Sequence, residues 1–519
     1  MAKTFDLKDD SVVVIIGSGA GGATLGNELA QKGVNVVCLE AGARLTTADF
    51  TNDWGDAFNK FSWLDKRIGT GDLNPTLPLW VCKLVGGSTV HWAGIAMRFQ
   101  EHEFKSRSTY GDVAGAQLMD WPLTLQELAP FYLNAEDRMG VTGTHGIPRL
   151  PPNNNYKVME VAAKRVGYKD FHTGNLAINS EPRDGRPGCR QIGFCIAGCA
   201  IGAKWSTLYT EVPRAEQTGR FEIRPESMVL RITHDASGKV SGVIYADKSG
   251  NQHEQKARVV CVAGNSVETP RLLLNSKSSK YPDGLANSSG QVGRNFMRHV
   301  SAALYGIMPG RVNFERGTQQ AGIIHDEAGN DPKRGFVGGY EIETLPGFGL
   351  DGLARNLVSG GWGKDYARVL EKYDHFAGLW LCGEDMPQAN NGVTLHPTEK
   401  DQHGLPVPVV HYKDHPNDIV MRNYALKSAR TLLTTLSPTE MFEVPPFPST
   451  HNMGTCRQSK NPRDGVCNSF GQTHDIPNLF ISDGSQFTTS GAENPTLTIV
   501  ALAIRQAGYI ADQLQKKQV

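Results

Sequence analysis

The apolar residues of this chain lie in short runs separated by glycine-rich turns, and the first two runs set the pattern. Residues 11–16 are almost entirely apolar, a group of glycines follows, and an alanine-rich stretch leads to a second apolar run at 34–39. Short apolar runs bounded by glycine are typical of buried strands, and the stretch between these two has the composition of a helix. The opening segment is therefore predicted to form a strand, a tight turn, a helix and a parallel strand.

A second unit of this kind is predicted near the middle of the chain. Residues 258–263 form another apolar run that ends at Gly264, and the stretch from Glu268 through Pro270 has the character of a helix. Proline is well tolerated in the first turn of a helix, so we expect the helix to begin close to Glu268. The strand should return to the first sheet.

Other segments show strand or helix patterns of their own. Residues 220–246 alternate and include a hairpin arm, and residues 300–447 mix short alternating runs with Gly, Asn and Pro turns, which predicts a mainly antiparallel sheet with accessory helices. Thr124, followed three residues later by Glu127, makes a capping box and predicts a helix start. Aromatic residues at 44–80 are too irregularly spaced for one helix, so we expect an excursion over a ligand or a neighbouring domain.

The first turn has the glycine spacing of a dinucleotide site. Gly17, Gly19 and Gly22 follow the G-x-G-x-x-G register, in which backbone amides approach a pyrophosphate closely and the helix start favours negative charge. Glu40 ends the second predicted strand, where a carboxylate can accept hydrogen bonds from the hydroxyls of an adenosine ribose. Strand, glycines, helix and terminal acid agree, so the sequence predicts a dinucleotide site.

Composition narrows the class of partner. The 519 residues suffice for two or more domains, and 53 basic residues balance 53 acidic ones, so no net field recruits nucleic acid or a charged membrane. No apolar run reaches the about 18 residues of a membrane span. The N-terminal residues have neither an apolar signal core nor a twin arginine, so we expect a cytoplasmic protein that acts on a small neutral molecule.

The loop at residues 84–94 is a second candidate for ligand contact. Gly86, Gly87 and Ser88 precede His91 and Trp92, and small residues of this kind let a loop lie flat against a planar ring or phosphates. His91 fits three roles: a contact with the ring, a covalent tether, or a hydrogen-bonded structural histidine.

Cys189, Cys195 and Cys199 form the one close cluster among nine cysteines. Three thiolates in a glycine-containing loop can hold an iron–sulfur cluster, although a four-cysteine site would lack its last ligand within the motif. A local disulfide and free structural thiols are the alternatives, and the spacing leaves all three open.

Three segments near the C-terminus complete the candidate chemistry. His451 opens a polar stretch, Asp483 and Gly484 follow an apolar run, and Asn494 precedes Pro495 and a long predicted helix. Proline suits the first position of a helix, and the amide end of that helix can favour negative charge on a bound ring.

With these motifs in order, the chain resembles the glucose–methanol–choline family of FAD oxidoreductases. Residues 85–92 and 468–480 are most similar to its bacterial branch of gluconate, fructose and glucose dehydrogenase flavoproteins and sugar oxidases. The resemblance implies an α/β fold, with a Rossmann-type FAD-binding domain and an α+β substrate domain built on a mainly antiparallel sheet. The predicted boundaries are 1–110, 200–300 and 447–519 for the discontinuous FAD-binding domain, and 111–199 and 301–446 for the substrate-binding domain.

The resemblance also implies roles by position. The residues that match cofactor-binding positions are Gly17, Gly19, Gly22, Glu40 and Val229 for the ADP half, Gly86, Gly87, Ser88 and His91 along the flavin, and Asp483, Gly484 and Thr496 near the ribityl chain, the pyrophosphate and the last helix. His451 and Asn494 match the two catalytic positions. The Cys189–Cys199 loop lies where some membrane-bound relatives hold a three-iron cluster.

The implied activity is oxidation of a secondary hydroxyl of a sugar, for example a pyranose, a glycoside or a sugar acid, to a ketone. The flavin takes a hydride while His451 accepts the hydroxyl proton and Asn494 orients the hydroxyl. Electrons then pass to oxygen or another acceptor. The alternatives are a flavoprotein subunit of a membrane-bound gluconate 2-dehydrogenase-like complex, exported to the periplasm with a small or haem subunit, and a flavin-binding protein without turnover.

Overall fold

The computed structural model describes residues 3–63, 69–73, 79–347, 349–358, 360–444 and 450–519. The strands are β1 (Val13–Ile16), β2 (Val36–Leu39), β3 (Ser62–Trp63), β4 (Gly69–Gly71), β5 (Val81–Cys82), β6 (Phe171–Thr173), β7 (Phe221–Arg224), β8 (Met228–His234), β9 (Val240–Ala246), β10 (Gln252–Lys256), β11 (Val259–Val262), β12 (Arg294–Met297), β13 (Val300–Ile307), β14 (Gly322–Ile324), β15 (Tyr340–Thr344), β16 (Phe376–Gly383), β17 (Gly392–Lys400), β18 (Pro406–Tyr412), β19 (Glu440–Val444), β20 (Met453–Thr455) and β21 (Leu479–Ile481). The helices are α1 (Ala20–Gln31), α2 (Trp54–Asp56), α3 (Glu101–Phe104), α4 (Ser106–Tyr110), α5 (Leu125–Met139), α6 (Asn154–Val166), α7 (Glu211–Gln217), α8 (Asn265–Asn275), α9 (Leu350–Leu357), α10 (Lys364–Glu371), α11 (Pro416–Thr434) and α12 (Thr496–Gln515).

Five parallel strands form one sheet of the molecule. Its order is β21-β11-β1-β2-β7, and every residue of β1, β2, β11 and β21 is buried. Strands buried on both faces read as continuous apolar runs, which is why the sequence pattern identified three of them. Helices α1 and α12 pack against each other, so the C-terminal helix closes one face of the sheet. The predicted fold class is confirmed.

Helix α8 begins earlier than the sequence indicated. It starts at Asn265, whose side chain accepts hydrogen bonds from two amides of the first turn, so Pro270 lies inside the helix and the start predicted near Glu268 is wrong. A proline in the interior leaves the carbonyl four residues before it without a partner. Here that carbonyl belongs to Ser266, and the Thr455 hydroxyl donates to it at 2.9 Å. The Thr455 hydroxyl, on the distant strand β20, therefore replaces the hydrogen bond that Pro270 cannot donate.

A six-stranded antiparallel sheet is built mostly from the second half of the chain, as predicted. Its order is β19-β13-β16-β15-β14-β6. Helices α6 and α11 contribute buried residues to the core on one face of this sheet, together with Tyr340 and Ile342 of β15. Side chains alternate along a strand, so Glu341 and Glu343 of β15 point to the opposite face. That face is turned toward the candidate site.

Smaller elements join the two sheets. A sheet of order β20-β12-β17-β18-β4 combines strands from segments that the sequence assigned to different domains, and the predicted boundaries stay a prediction. The hairpin β8-β9 and the capping box of Thr124 and Glu127 at the start of α5 agree with the sequence pattern. Part of the excursion at 44–80 lies outside the described residues. Among the described residues, no helix has the length and apolar character needed to cross a membrane.

Candidate active site

One pocket brings together most of the predicted site residues. It lies at the carboxyl ends of β1, β2 and β11, where open α/β sheets bind their ligands. The predicted residues that line it are Gly17, Gly19, Glu40, Gly87, Ser88, His91, Val229, His451, Asp483, Gly484, Asn494 and Thr496. Gly22, Gly86 and the three cysteines of the 189–199 loop are not among its lining residues. The motifs at the start, middle and end of the chain thus share one cavity.

The glycines of the first turn and of the 84–94 loop divide into two kinds. A Cβ on Gly22 would overlap the Gly17 carbonyl oxygen, and Gly86 has a φ of +99° with its backbone against Leu208. These two glycines shape the turns and do not face the pocket. A Cβ on Gly19, by contrast, would meet no protein atom closer than Gly87 Cα at 3.9 Å. The space beside Gly19 is available to a ligand, as close backbone approach to a pyrophosphate requires.

Glu40 is held rigidly at the edge of the same pocket. One carboxylate oxygen accepts hydrogen bonds from the Ser18 amide at 3.0 Å and the Ser18 hydroxyl at 2.7 Å, and the other accepts from the Gly42 amide at 2.9 Å. Burial raises the pKa of Glu40, and these hydrogen bonds oppose that shift. The carboxylate follows β2 directly, so the strand ending positions it as the sequence predicted for a ribose contact.

His91 lies buried beside Trp80, with ring centroids 5.2 Å apart. Its Nε2 has no hydrogen-bond partner among the described residues. Burial, reinforced by Lys204, lowers the pKa of His91 to about 3, so the ring is neutral. Lys204 is itself buried and donates to the carbonyls of Val90 and Trp92 at 2.9 and 2.6 Å. A buried, unpartnered ring nitrogen on the pocket wall fits a bound ligand.

His451 and Asn494 meet at the other end of the pocket. Asn494 Nδ2 lies 3.5 Å from His451 Nε2, although 43 residues separate them in sequence. The Trp380 ring stands 5.6 Å from the His451 ring. Desolvation, followed by the neighbouring His299, lowers the pKa of His451 well below its usual value. His451 is therefore an unprotonated base at neutral pH.

A second imidazole, which the sequence did not single out, supports His451 from behind. His299 Nδ1 lies 3.0 Å from His451 Nδ1 with the rings at 83°, and His299 Nε2 lies 3.3 Å from the Ser490 carbonyl oxygen. The Cys382 sulfur lies 2.9 Å from His299 Nδ1. The residue lies between β12 and β13, and nothing in its local pattern indicates a role at the site.

The site-facing side of the antiparallel sheet carries buried acids. Burial raises the pKa of Glu343 well above its usual range, Glu341 adds to the effect, and the Asn494 side chain opposes it. His325 Nε2 lies 2.9 Å from Glu341 Oε1 and 3.2 Å from Glu493 Oε1. Burial acts to lower the pKa of His325, but these two carboxylates outweigh it and raise that pKa to about 11. A charged histidine therefore balances the acids behind Asn494.

The cysteine loop stands apart from this chemistry. Cys189, Cys195 and Cys199 are free thiols that pack against one apolar cluster. Among the described residues, three groups of histidine, cysteine and carboxylate side chains bring their ligand atoms within 4.8 Å of one another, and this loop is not one of them. Only Ile196, between the second and third cysteine, lines the pocket.

Comparison with known proteins identifies the family. Two models of the family described as GMC oxidoreductase match residues 11–301 and 387–503. The chain is a GMC oxidoreductase. A 2-methyl-1,2-propanediol dehydrogenase from Mycolicibacterium austroafricanum is 34% identical over 97% of this chain and 95% of the relative. The large subunit of fructose dehydrogenase from Gluconobacter japonicus is 28% identical over 97% of this chain and 98% of that protein. The resemblance stated from the motifs is confirmed.

A solved structure supports the fold. Formate oxidase from Aspergillus oryzae superposes with a TM-score of 0.72 at 16% identity and covers 98% of each chain. The cofactor of this GMC oxidoreductase is FAD. The pocket fits that group, because the Glu40 carboxylate lies on its wall at the end of β2, the side of Gly19 is open to a ligand, and His91 Nε2 has no hydrogen-bond partner among the described residues.

Proposed function

We propose that this GMC oxidoreductase oxidises a secondary hydroxyl of a sugar, glycoside or sugar acid to a ketone, with His451 as the base. One observation carries the proposal: the unprotonated His451 and the amide of Asn494 lie 3.5 Å apart on the wall of the pocket that also contains the dinucleotide fingerprint. A base and a neutral orienting group at one end of a cofactor pocket are the parts that alcohol oxidation needs.

The two side chains have separate tasks. Bound FAD supplies the acceptor for the hydride that leaves the carbinol carbon. His451 takes the hydroxyl proton at Nε2, which its depressed pKa leaves unprotonated. Asn494 does not titrate, so it holds the hydroxyl oxygen by hydrogen bonding without competing for the proton.

Relatives support the substrate class and raise one competitor. The name of the fructose dehydrogenase large subunit favours a sugar, whereas the name of the 2-methyl-1,2-propanediol dehydrogenase favours a small branched diol. The two candidates differ in size and in the number of hydroxyls. A panel of pyranoses, sugar acids and short diols, scored by the rate of flavin bleaching without oxygen, separates them.

Two kinds of electron acceptor are compatible with the proposed reaction. The words "large subunit" and "flavoprotein" in the names of two relatives favour a partner subunit that receives the electrons. Oxygen is the other candidate acceptor. A cytoplasmic location, as predicted from the sequence, would be consistent with oxygen or a soluble acceptor, whereas a periplasmic location would be consistent with a partner subunit. Reoxidation of the bleached enzyme by air, compared with a soluble dye acceptor, separates the two.

The test of the base uses anaerobic stopped-flow reduction. Removal of His451 in His451→Ala should retain FAD but slow flavin reduction by at least about 10²-fold. His253→Ala is the control, because that histidine pairs with Asp247 on a distant hairpin. The pKa of His451 is lowered, so the wild-type reduction rate should stay flat from pH 8 to below about 6.5 and decline only in more acidic buffer. A His451→Ala enzyme that reduces its flavin at the wild-type rate would eliminate this base.

A further inference from the structure

We propose that His299 is a positioning residue: held by the Ser490 carbonyl, it fixes the tautomer in which His451 presents an unprotonated Nε2 to the pocket. The inference rests on the proposed function, in which His451 is the base. A neutral imidazole can carry its proton on either nitrogen, and only one of the two tautomers can accept a proton at Nε2.

The chain of hydrogen bonds begins at a backbone carbonyl, a group that can only accept a hydrogen bond. The Ser490 carbonyl oxygen can only accept, so the His299 Nε2 that lies 3.3 Å from it must carry a proton and donate. Burial lowers the pKa of His299 to about 4, which keeps the ring neutral at physiological pH. A neutral imidazole protonated at Nε2 has its lone pair on Nδ1. His299 therefore offers an acceptor to whatever faces its Nδ1.

His451 is what faces it. The two Nδ1 atoms lie 3.0 Å apart, a hydrogen-bond distance that two lone pairs cannot share, so His451 Nδ1 must donate. Because the depressed pKa of His451 keeps it neutral, Nε2 of His451 then holds the lone pair. The Asn494 amide nitrogen, a donor only, lies 3.5 Å from that Nε2. Both contacts of His451 select the same tautomer.

The other groups around the two rings are compatible with this arrangement. The Cys382 sulfur lies 2.9 Å from His299 Nδ1 and 3.4 Å from the Ala492 carbonyl oxygen, and a thiol proton directed at either one leaves His299 Nδ1 an acceptor. Burial, with the nearby acids of β15 after it, raises the pKa of Cys382, so the sulfur stays a neutral thiol. Glu493 raises the pKa of His299 from a distance but makes no hydrogen bond to it. Trp380, the other ring beside His451, does not titrate.

A matched pair of substitutions isolates the acceptor. Asn and Leu branch at the same carbon, but only Asn can place an oxygen where His299 Nδ1 stands. His299→Leu should slow anaerobic flavin reduction by about 10-fold to 10²-fold, because a mixture of tautomers weakens the base. His299→Asn should stay within about 5-fold of the wild-type rate. His299 has a φ of +66°, a region that Asn tolerates better than Leu. A rate difference could therefore reflect backbone strain.

A spectroscopic measurement removes that ambiguity and is independent of activity. Nitrogen-15 NMR of histidine-labelled holoenzyme reports the tautomer of each ring, and the signals missing from His451→Ala identify those of His451. We expect the Nδ1-protonated form in the wild type and in His299→Asn, and a mixture in His299→Leu. A wild-type His451 protonated at Nε2 overturns the inference, as does a His299→Leu spectrum with the tautomer unchanged. If His299→Leu does not fold, the wild-type spectrum alone decides.

Failure of the proposed function gives a different result. If His451→Ala reduces its flavin at the wild-type rate, His451 is not the base, whatever its tautomer. If His451→Ala is slow and His451 stays protonated at Nδ1 in His299→Leu, the base stands and the role of His299 falls.

Discussion

Gly19 and Gly21 stand two positions apart at the start of α1, and the structure predicts opposite consequences when either gains a methyl group. A Cβ on Gly19 would have no protein atom closer than 3.9 Å, and the residue has an ordinary φ of −69°. A Cβ on Gly21 would overlap the Ser482 carbonyl oxygen, well inside the 3.0 Å that real Cβ atoms keep. The first methyl group enters the cofactor space, and the second enters the protein.

The magnitudes follow from those contacts. Alanine in a helix gains about 1 kcal/mol over glycine, but an overlap between backbone groups that cannot rotate away costs about 3 kcal/mol or more. Gly21→Ala should therefore lose at least about 2 kcal/mol of folding free energy, which lowers the Tm of the cofactor-free protein by roughly 2 °C or more. Gly19→Ala should change that Tm by less than about 1 °C, while its affinity for FAD should drop at least about 10-fold.

Thermal unfolding of the cofactor-free proteins and titration with FAD measure the two effects separately. Gly508→Ala is the matched control, because this exposed helical glycine has no atom within 4 Å of an added Cβ. It should keep both properties, with a gain of up to about 1 kcal/mol in stability. A Gly19→Ala protein that binds FAD with wild-type affinity would refute the assignment of the phosphate space. A Gly21→Ala protein as stable as the wild type would refute the packing argument.

Three further predictions concern buried groups. Burial raises the pKa of Glu341 to about 7, so the wild-type protein loses stability as pH rises from about 4.5 to 7 and the buried group ionises. The Tm of Glu341→Gln relative to that of the wild type should therefore be higher at pH 8 than at pH 5. An equal Tm difference at the two pH values would contradict this. Lys204 donates hydrogen bonds to three carbonyls. Lys204→Met should therefore lower the free energy of unfolding, measured by urea titration, by about 3 kcal/mol. A change under about 1 kcal/mol would show that the carbonyls find other donors. If His91 tethers the flavin, acid precipitation of the wild type should leave the pellet yellow and that of His91→Ala should release the colour; complete release from the wild type excludes the tether.

Local patterns explain which predictions from sequence succeeded. Gly17 takes a φ of +98°, a conformation that glycine adopts readily, and it sits between β1 and α1 as its motif requires. Strands β1, β2 and β11 could be predicted because each is a short apolar run that can be recognised without knowing its neighbours. The start of α8 was misplaced because the partner of Ser266 is Thr455, a residue from a distant strand, and no pattern near Pro270 reveals it.

The sequence by itself determined the cofactor half of the site, because a dinucleotide turn is built from consecutive residues and its glycines, helix start and acid lie within one stretch of chain. It also named His451 and Asn494 as candidates, through the similarity of their short motifs. Only the tertiary structure decided how those two are supported. His299 lies 152 residues from His451 in sequence, and the two meet because β12, which ends just before His299, pairs with β20, which begins just after His451. Hydrogen bonds of that kind have no periodic signature in the sequence, since they form between side chains whose meeting depends on the whole fold.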